Sequence, residues 1–132
     1  GQILIYPWVD HHQNYPSHDL FGENFGLSNE YLQFFTKCYQ NNEFERTNPD
    51  FSPLLASNLS NSVPALIFLA SHDPLRDSGL AYHAKLLEHG VESLCKTYQP
   101  TIHGFAQVYS VLPKGKQIIT DFLSAIKNWI AD

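Results

Sequence analysis

The chain has 132 residues, of which 43% are hydrophobic and 16% charged, and this composition predicts one soluble globular unit without long disorder. A formal net charge of −5 argues against nucleic-acid binding, because proteins that neutralise phosphates usually cluster lysine and arginine. The longest apolar runs fall far below the roughly 20 residues that a membrane span needs. We therefore expect a cytoplasmic protein with no membrane span and a partner that is a small molecule or a protein.

Three short segments are predicted to form the strands of a parallel sheet. They are residues 2–6 (QILIY), 65–70 (ALIFLA) and 92–98 (ESLCKTY). The first two are almost continuously apolar, as expected of strands that are covered on both faces. Right-handed crossovers would make the three strands parallel neighbours. The sequence thus predicts an α/β protein with a three-layer arrangement around a parallel sheet.

Three further segments are predicted to form helices. Residues 28–40 begin at Ser28, which suits an N-cap. Residues 77–89 carry an apolar face and are followed by Gly90, which suits the left-handed residue that ends a helix. From residue 116 onward, apolar residues recur at helical spacing and predict a C-terminal helix that packs on the sheet.

A stripe of mostly aromatic residues runs along the first of these helices, and we expect it to pack in the core rather than to bind a ligand. The stripe consists of Tyr31, Phe34, Phe35, Cys38 and Tyr39. Cys38 and Cys95 have no further cysteine or histidine at metal-binding spacing, so we expect both to be small buried residues.

We expect residues 1–132 to form a single domain. Residues 7–64 would be a long, aromatic-rich connection with one helix, and residues 65–132 a strand-helix-strand-helix unit. Connections of this length are usually functional, often as lids or pocket walls. Trp8 follows the first strand directly, so we expect it near the functional edge of the sheet.

Two titratable residues follow the second and third predicted strands. Asp73 lies three positions after Ala70, and His103 lies five after Tyr98. Because catalytic groups of parallel sheets gather beyond the carboxyl ends of the strands, both are predicted at one edge. An aspartate before Pro74 can also simply cap a helix, and a lone loop histidine is often incidental. Together, however, the two match the acid and base of a Ser-His-Asp arrangement.

The chemistry explains why these residue types belong together. A serine hydroxyl is a poor nucleophile at neutral pH, so a histidine must take its proton and later return it to the leaving group. A buried carboxylate fixes the histidine tautomer and stabilises the imidazolium. In α/β-hydrolases the chain order is nucleophile, acid, histidine, and Asp73 before His103 obeys it.

Several motifs strengthen this interpretation: YPWVD, FSPLLA, VPALIFLASHDPLRDSGLAYHAKLLEHGVE and YQPTIHGF. They resemble the C-terminal part of the hormone-sensitive-lipase-like (bacterial family IV) carboxylesterases, which have the α/β-hydrolase fold. The resemblance implies that the first aspartate of DPLRD, Asp73, is the triad acid and that the histidine of HGF, His103, is the base. It also implies hydrolysis of small, short-acyl carboxylic esters without metal or cofactor.

The chain departs from that family in one respect. The family's nucleophile lies in a G-D-S-A-G elbow and its oxyanion hole uses an HGG motif, and the sequence contains neither. Ser28, in GLSNE, lacks the second glycine and is predicted to be an N-cap. We therefore expect an incomplete fold, without the N-terminal strands and the nucleophile elbow, that is inactive alone. A first strand without its neighbour also predicts self-association or pairing with the missing N-terminal part.

The remaining polar residues favour structural roles. Arg76 is expected to pair with a carboxylate and Asp77 to serve as an N-cap. A metal site formed by His72, Asp73 and His103 has little support, since adjacent residues leaving a strand point to different sides. The pair His11 and His12, in DHHQNYPSHD, is an equally weak metal signal.

Two other functions stay open from the sequence. The absence of a nucleophile allows a noncatalytic hydrolase-like module that binds a ligand or a protein. A prolyl-oligopeptidase-like peptidase also ends in an acid followed by a histidine, but such enzymes usually carry D-x-x-V-P where this chain has DPLRD, so this alternative ranks lowest.

Overall fold

The computed structural model describes residues 1–131 and contains a parallel sheet of three strands. The strands are β1 (Gln2–Ile5), β2 (Ala65–His72) and β3 (Ser93–Ile102), in the spatial order β1-β2-β3. Both strand pairs are parallel, which confirms the predicted α/β class. Strand β2 lies at the centre, and nearly all of its residues are buried, as its continuous apolarity predicts.

Helices cover both faces of β2. Helix α3 (Arg76–Glu88) packs on one face, where Ile67 and Leu69 meet Tyr82 and Leu86. On the other face, α5 (Gly115–Ala131) contributes Ile118 and Phe122, which join a cluster with Leu66, Phe68, Tyr98 and Phe105. Successive β2 residues alternate between these two clusters, since side chains alternate along a strand. The arrangement is the predicted three-layer one.

The pairing of β2 with β3 is irregular near the C-terminal ends of the two strands. The strands pair regularly up to Ala70 with Tyr98 and again at His72 with Ile102. One residue of β2 therefore faces three residues of β3 within this irregularity. These three residues of β3 form a bulge, which the Ser71 hydroxyl stabilises by accepting a hydrogen bond from Thr101 N at 3.2 Å. Both strands run further than predicted, and each ends one residue before a candidate site residue.

The connection between β1 and β2 holds more helix than the single one predicted. A short helix α1 (Pro16–Phe21) precedes α2 (Asn29–Tyr39), and 3-10 turns follow at Glu43–Thr47 and Pro53–Leu55. Proline at the first helical position starts α1, because its missing N–H would be unpaired there in any case. The sequence signal was missed because α1 has only six residues.

The predicted burial of the aromatic stripe on α2 is wrong. The stripe residues Tyr31, Phe34, Phe35, Cys38 and Tyr39 are exposed. The buried residues of α2 are instead Leu32 and Thr36, which lie four positions apart on the face that meets the fold. A threonine gives no apolar signal, so the hydrophobic pattern favoured the adjoining aromatic face instead of the buried one. Ser28 caps α2 as predicted, and its side chain accepts from Tyr31 N.

The two cysteines also differ from the prediction. Cys38 is exposed on α2 and Cys95 is half-buried in β3. Gly90 does adopt the predicted left-handed conformation after α3, with φ of 75°. No helix within residues 1–131 has the length and apolarity needed to cross a membrane.

Candidate active site

Asp73 and His103 meet at the edge of the sheet where β2 and β3 end. The Asp73 Oδ2 atom lies 2.8 Å from His103 Nδ1. The carboxylate is almost fully buried, with 1% of its side chain exposed, whereas 29% of the His103 side chain is exposed. When Nδ1 carries the proton it donates to Asp73, which leaves Nε2 as an acceptor. The predicted proximity of the two side chains is therefore confirmed.

The Asp73 carboxylate also organises the start of α3. Its second oxygen, Oδ1, accepts from Leu75 N at 2.9 Å. The structural and the chemical interpretations of this aspartate are thus compatible, because each uses a different oxygen. Leu75 N and His103 Nδ1 together fix the orientation of the Asp73 carboxylate.

Arg76 and Asp77 stabilise the same turn. Arg76 Nε pairs with Asp77 Oδ1 at 2.8 Å, and Arg76 Nη1 donates to Ser71 O at 3.0 Å. The predicted carboxylate partner of Arg76 is thus confirmed. Asp77 lies inside the first turn of α3 rather than at its N-cap, and its Oδ2 accepts from Ser17 N at 2.9 Å. The expected N-cap role of Asp77 is wrong, because its carboxylate instead ties α1 to α3.

An apolar cavity of about 350 Å³ opens beside His103. Its walls come from β1, from the connection and from the turn before α3: Ile5, Tyr6, Trp8, Leu27, Leu32, Phe35 and Leu75. Trp8 therefore lies near this edge, as predicted. Phe35 shows why part of the α2 stripe stays out of the core, since it forms a wall of this open cavity.

Histidine 11 belongs to a second, polar cavity of about 210 Å³. Its ring stacks on Trp8 with centroids 3.9 Å apart and meets Phe51 edge-on. Burial lowers the pKa of His11 to about 4, so the ring is neutral near pH 7. The buried Asp10 accepts from His12 N at 2.8 Å and from the Tyr15 hydroxyl at 2.6 Å.

The structure separates His72 from the other two residues of the first weak metal signal. His72 packs against Phe21 and Phe25 rather than joining Asp73 and His103. Within residues 1–131 no group of three or more His, Cys, Asp or Glu side chains could hold a metal ion. Among residues 1–131, the partner that hydrogen-bonds to the His103 ring is Asp73.

Sequence reasoning missed Tyr6, which packs against the His103 ring, with ring centroids 4.6 Å apart. Its position immediately after β1 was the available signal, because residues that leave the carboxyl ends of parallel strands share one edge.

Comparison with known proteins agrees with this geometry. Residues 1–107 match the family described as alpha/beta hydrolase fold. The chain belongs to this family. The match includes both Asp73 and His103, and it accords with the predicted resemblance to the hormone-sensitive-lipase-like esterases, which the relatives below confirm.

Several similar proteins are ester hydrolases by name. An ethyl acetate hydrolase of Pseudomonas putida is 32% identical over 127 residues, which are 96% of this α/β-hydrolase chain and 40% of the relative. An arylesterase of Saccharolobus solfataricus is 40% identical over 74 residues, 56% of this chain and 24% of the relative. An esterase structure from Pyrobaculum calidifontis matches with a TM-score of 0.88 at 30% identity, and the match covers 99% of this chain and 43% of the esterase chain.

The chain thus spans less than half the length of the curated relatives it matches, for example 40% of the ethyl acetate hydrolase. Their activities are accordingly attributes of longer proteins.

Proposed function

We propose that this chain supplies the acid, Asp73, and the base, His103, of a serine carboxylesterase. The observation that supports the proposal is the 2.8 Å contact between Asp73 Oδ2 and His103 Nδ1. A buried carboxylate bound to one ring nitrogen leaves the other nitrogen free to exchange a proton with a substrate or a nucleophile. The names of the relatives, which include an ethyl acetate hydrolase and a carboxylic ester hydrolase, support the same class.

The proposed mechanism assigns one task to each residue. His103 Nε2 removes the proton from a serine hydroxyl as that oxygen attacks the ester carbonyl, and then gives the proton to the leaving alcohol. Asp73 holds the tautomer in which Nδ1 is protonated, and it stabilises the imidazolium that forms. In the second half of the reaction the same nitrogen takes a proton from a water molecule as the water oxygen attacks the acyl carbonyl. It then returns that proton to the serine oxygen as the bond between serine and the acyl group breaks and the acid leaves.

The nucleophilic serine is proposed to lie outside residues 1–132. Ser28 is occupied as the cap of α2. The sequence contains no G-x-S-x-G elbow, which this fold uses to expose its serine. Residues 1–132 alone are therefore proposed to be inactive.

The substrate is proposed to be a small ester with a short acyl chain. The cavity beside His103 supports this choice because its volume is about 350 Å³ and its walls are mainly aliphatic and aromatic side chains. No cofactor takes part in the proposed reaction, since each proton transfer uses a side chain or water.

Self-association is a further part of the proposal. Within residues 1–131, β1 pairs on one side only, with β2, and the exposed aromatic side chains of α2 add apolar surface. Light scattering of the isolated chain should show species larger than a monomer, and a monodisperse monomer would contradict this part.

The catalytic proposal is tested with the protein encoded by the complete reading frame that contains these residues. Hydrolysis of p-nitrophenyl acetate should fall about 10⁴-fold in Asp73→Asn, because the wrong tautomer is then favoured. His103→Ala should lose a similar amount. Asp50→Asn, at an exposed position, is the matched control and should retain the wild-type rate.

Wild-type rates in Asp73→Asn or His103→Ala would overturn the catalytic assignment. If the wild-type protein itself hydrolyses no ester, the noncatalytic binding module becomes the better description.

A further inference from the structure

The side chain of Tyr6 lies against the ring of His103. The two ring centroids are 4.6 Å apart, with the planes tilted by 57°. Tyr6 also meets Phe105 edge-on at 5.5 Å, and Phe105 is completely buried in the core. The phenol ring therefore fills the space between the candidate base and the packed interior.

Two hydrogen bonds hold Tyr6 in this position against an unfavourable backbone conformation. Its backbone N donates to Phe68 O at 2.6 Å, which continues the pairing of β1 with β2. Its hydroxyl donates to Gln107 Oε1 at 2.5 Å. Its φ of 38° lies in the left-handed region, which residues with a Cβ adopt infrequently and which must be supported by the surrounding contacts.

The hydroxyl bond connects Tyr6 to the segment that carries His103. Gly104 follows His103 directly and has a φ of 80°, which turns the chain into the short helix α4 (Phe105–Val108). Gln107 belongs to α4, and its backbone N donates to Gly104 O at 2.9 Å. Tyr6 thus contacts both the His103 ring and the turn that begins next to it.

The single hydrogen bond to Asp73 does not by itself fix the orientation of the His103 ring. The Asp73 bond fixes Nδ1, but the ring can still pivot about that atom and move Nε2 away from its target. A second contact on the ring removes this freedom. Burial raises the pKa of the Tyr6 hydroxyl, so the phenol keeps its proton and remains a donor to Gln107 at neutral pH.

We propose that Tyr6 is a positioning residue that holds the His103 ring in the orientation in which Nε2 faces the reacting serine. Asp73 fixes one side of the ring and Tyr6 limits its rotation, while Gln107 anchors the phenol. This inference rests on the proposed function, since it assigns to Tyr6 a role in aiming the proposed base.

The test compares Tyr6→Phe, Tyr6→Ala and Gln107→Ala in the protein encoded by the complete reading frame. Tyr82→Phe and Tyr82→Ala are the matched controls, because Tyr82 is a core tyrosine on the opposite face of the sheet. Steady-state hydrolysis of p-nitrophenyl acetate gives kcat and KM. NMR of protein labelled with ¹⁵N-histidine gives the tautomer of His103 and the exchange of its Nδ1 proton.

Tyr6→Ala should lower kcat by about 10- to 100-fold, since small misplacements of a catalytic group carry penalties of this order. Tyr6 also lines the cavity beside His103, so kcat rather than KM is the readout of positioning in this variant. Tyr6→Ala should also lose the slowly exchanging Nδ1 proton. Tyr6→Phe and Gln107→Ala should each produce a smaller loss of the same kind, because both delete one bond. The double variant Tyr6→Phe with Gln107→Ala should lose no more kcat than either single variant, because both substitutions remove the same hydrogen bond.

The outcomes separate this inference from the proposed function. Positioning is overturned if wild-type His103 shows the protected Nδ1 proton but Tyr6→Ala matches Tyr82→Ala in kcat and exchange. If Tyr6→Ala fails to fold, Tyr6→Phe and Gln107→Ala decide, and wild-type kcat in both would overturn the inference. Full activity in Asp73→Asn would instead refute the proposed function, and this inference with it.

Discussion

Asp73 and His103 are 30 positions apart in the chain, yet Asp73 Oδ2 lies 2.8 Å from His103 Nδ1. They meet because β2 and β3 are parallel neighbours that end at the same edge, each one residue before its site residue. The other oxygen of the same carboxylate accepts from Leu75 N. Asp73 therefore affects both the stability of the turn and the orientation of the histidine.

Two substitutions of Asp73 should separate these effects on stability. Asparagine keeps a side-chain oxygen for Leu75 N, whereas alanine leaves that N–H without its partner. We expect Asp73→Ala to lower the free energy of unfolding by about 1–2 kcal/mol more than Asp73→Asn. Urea denaturation at pH 7 measures the difference. Asp50→Ala and Asp50→Asn, at an exposed position, should differ little, and equal stabilities of the two Asp73 variants would contradict the dual role.

The half-buried ring of His11 predicts a loss of stability in mild acid. Its pKa is about 4 in the folded protein and about 6.5 when unfolded, so the unfolded chain binds the proton more readily. The stability associated with the neutral ring is complete above pH 6.5 and declines as the pH falls toward 4. We expect the urea concentration at the unfolding midpoint of wild type to decrease when the pH is lowered from 7 to 5.

Substituting His11 should remove this part of the pH dependence. His11→Gln cannot gain a charge, so its midpoint should change less than that of wild type between the two pH values. His12→Gln is the matched control at an exposed neighbouring position and should retain the wild-type slope. An unchanged slope in His11→Gln would show that other groups cause the acid sensitivity.

The two cysteines should react with thiol reagents at different rates. Cys38 is exposed on α2, whereas burial raises the pKa of the half-buried Cys95 to about 11. Because the thiolate is the reactive form, only about 0.1% of Cys95 would be reactive at pH 8. We expect one fast thiol in a colorimetric disulfide-exchange assay. Cys38→Ser should abolish the fast phase and Cys95→Ser should keep it; persistence in Cys38→Ser would contradict the assignment.

The orientation of α2 predicts losses of stability of very different size for Leu32 and Phe34. Leu32 is buried, so Leu32→Ala should lower the free energy of unfolding by about 2–5 kcal/mol. Phe34 is 58% exposed, so Phe34→Ala should change it by no more than about 0.5 kcal/mol. Thermal or urea denaturation of both variants provides the check. A large loss in Phe34→Ala would indicate that the aromatic face packs against protein.

The sequence predicted the sheet and the meeting of Asp73 with His103, because both follow from continuous apolar runs and the geometry of parallel strands. It could not indicate which face of α2 is buried. Apolar periodicity marks the aromatic stripe, while the packed face includes Thr36, whose burial depends on tertiary contacts. Local pattern was therefore reliable where the residues on both faces were apolar, as in β2.

The position of Tyr6 at the end of β1 was open to sequence reasoning, but its contact with His103 was not, for another reason. It depends on the left-handed backbone at Tyr6 and on a hydroxyl bond to Gln107, 101 positions away. Neither feature has a local sequence signature. A tyrosine after a strand is common, and only the three-dimensional arrangement shows that this one reaches the histidine.

The bulge in β3 sets how far His103 lies along the strand relative to Asp73. Its residues 99–101 face one residue of β2, and the next pair of residues places Asp73 and His103 side by side. Deleting two of these residues would slide the histidine along the strand by about 7 Å without changing the face on which it lies. Insertions and deletions at this point would therefore uncouple the two side chains, so protein engineers who shorten or graft loops should leave the segment unaltered.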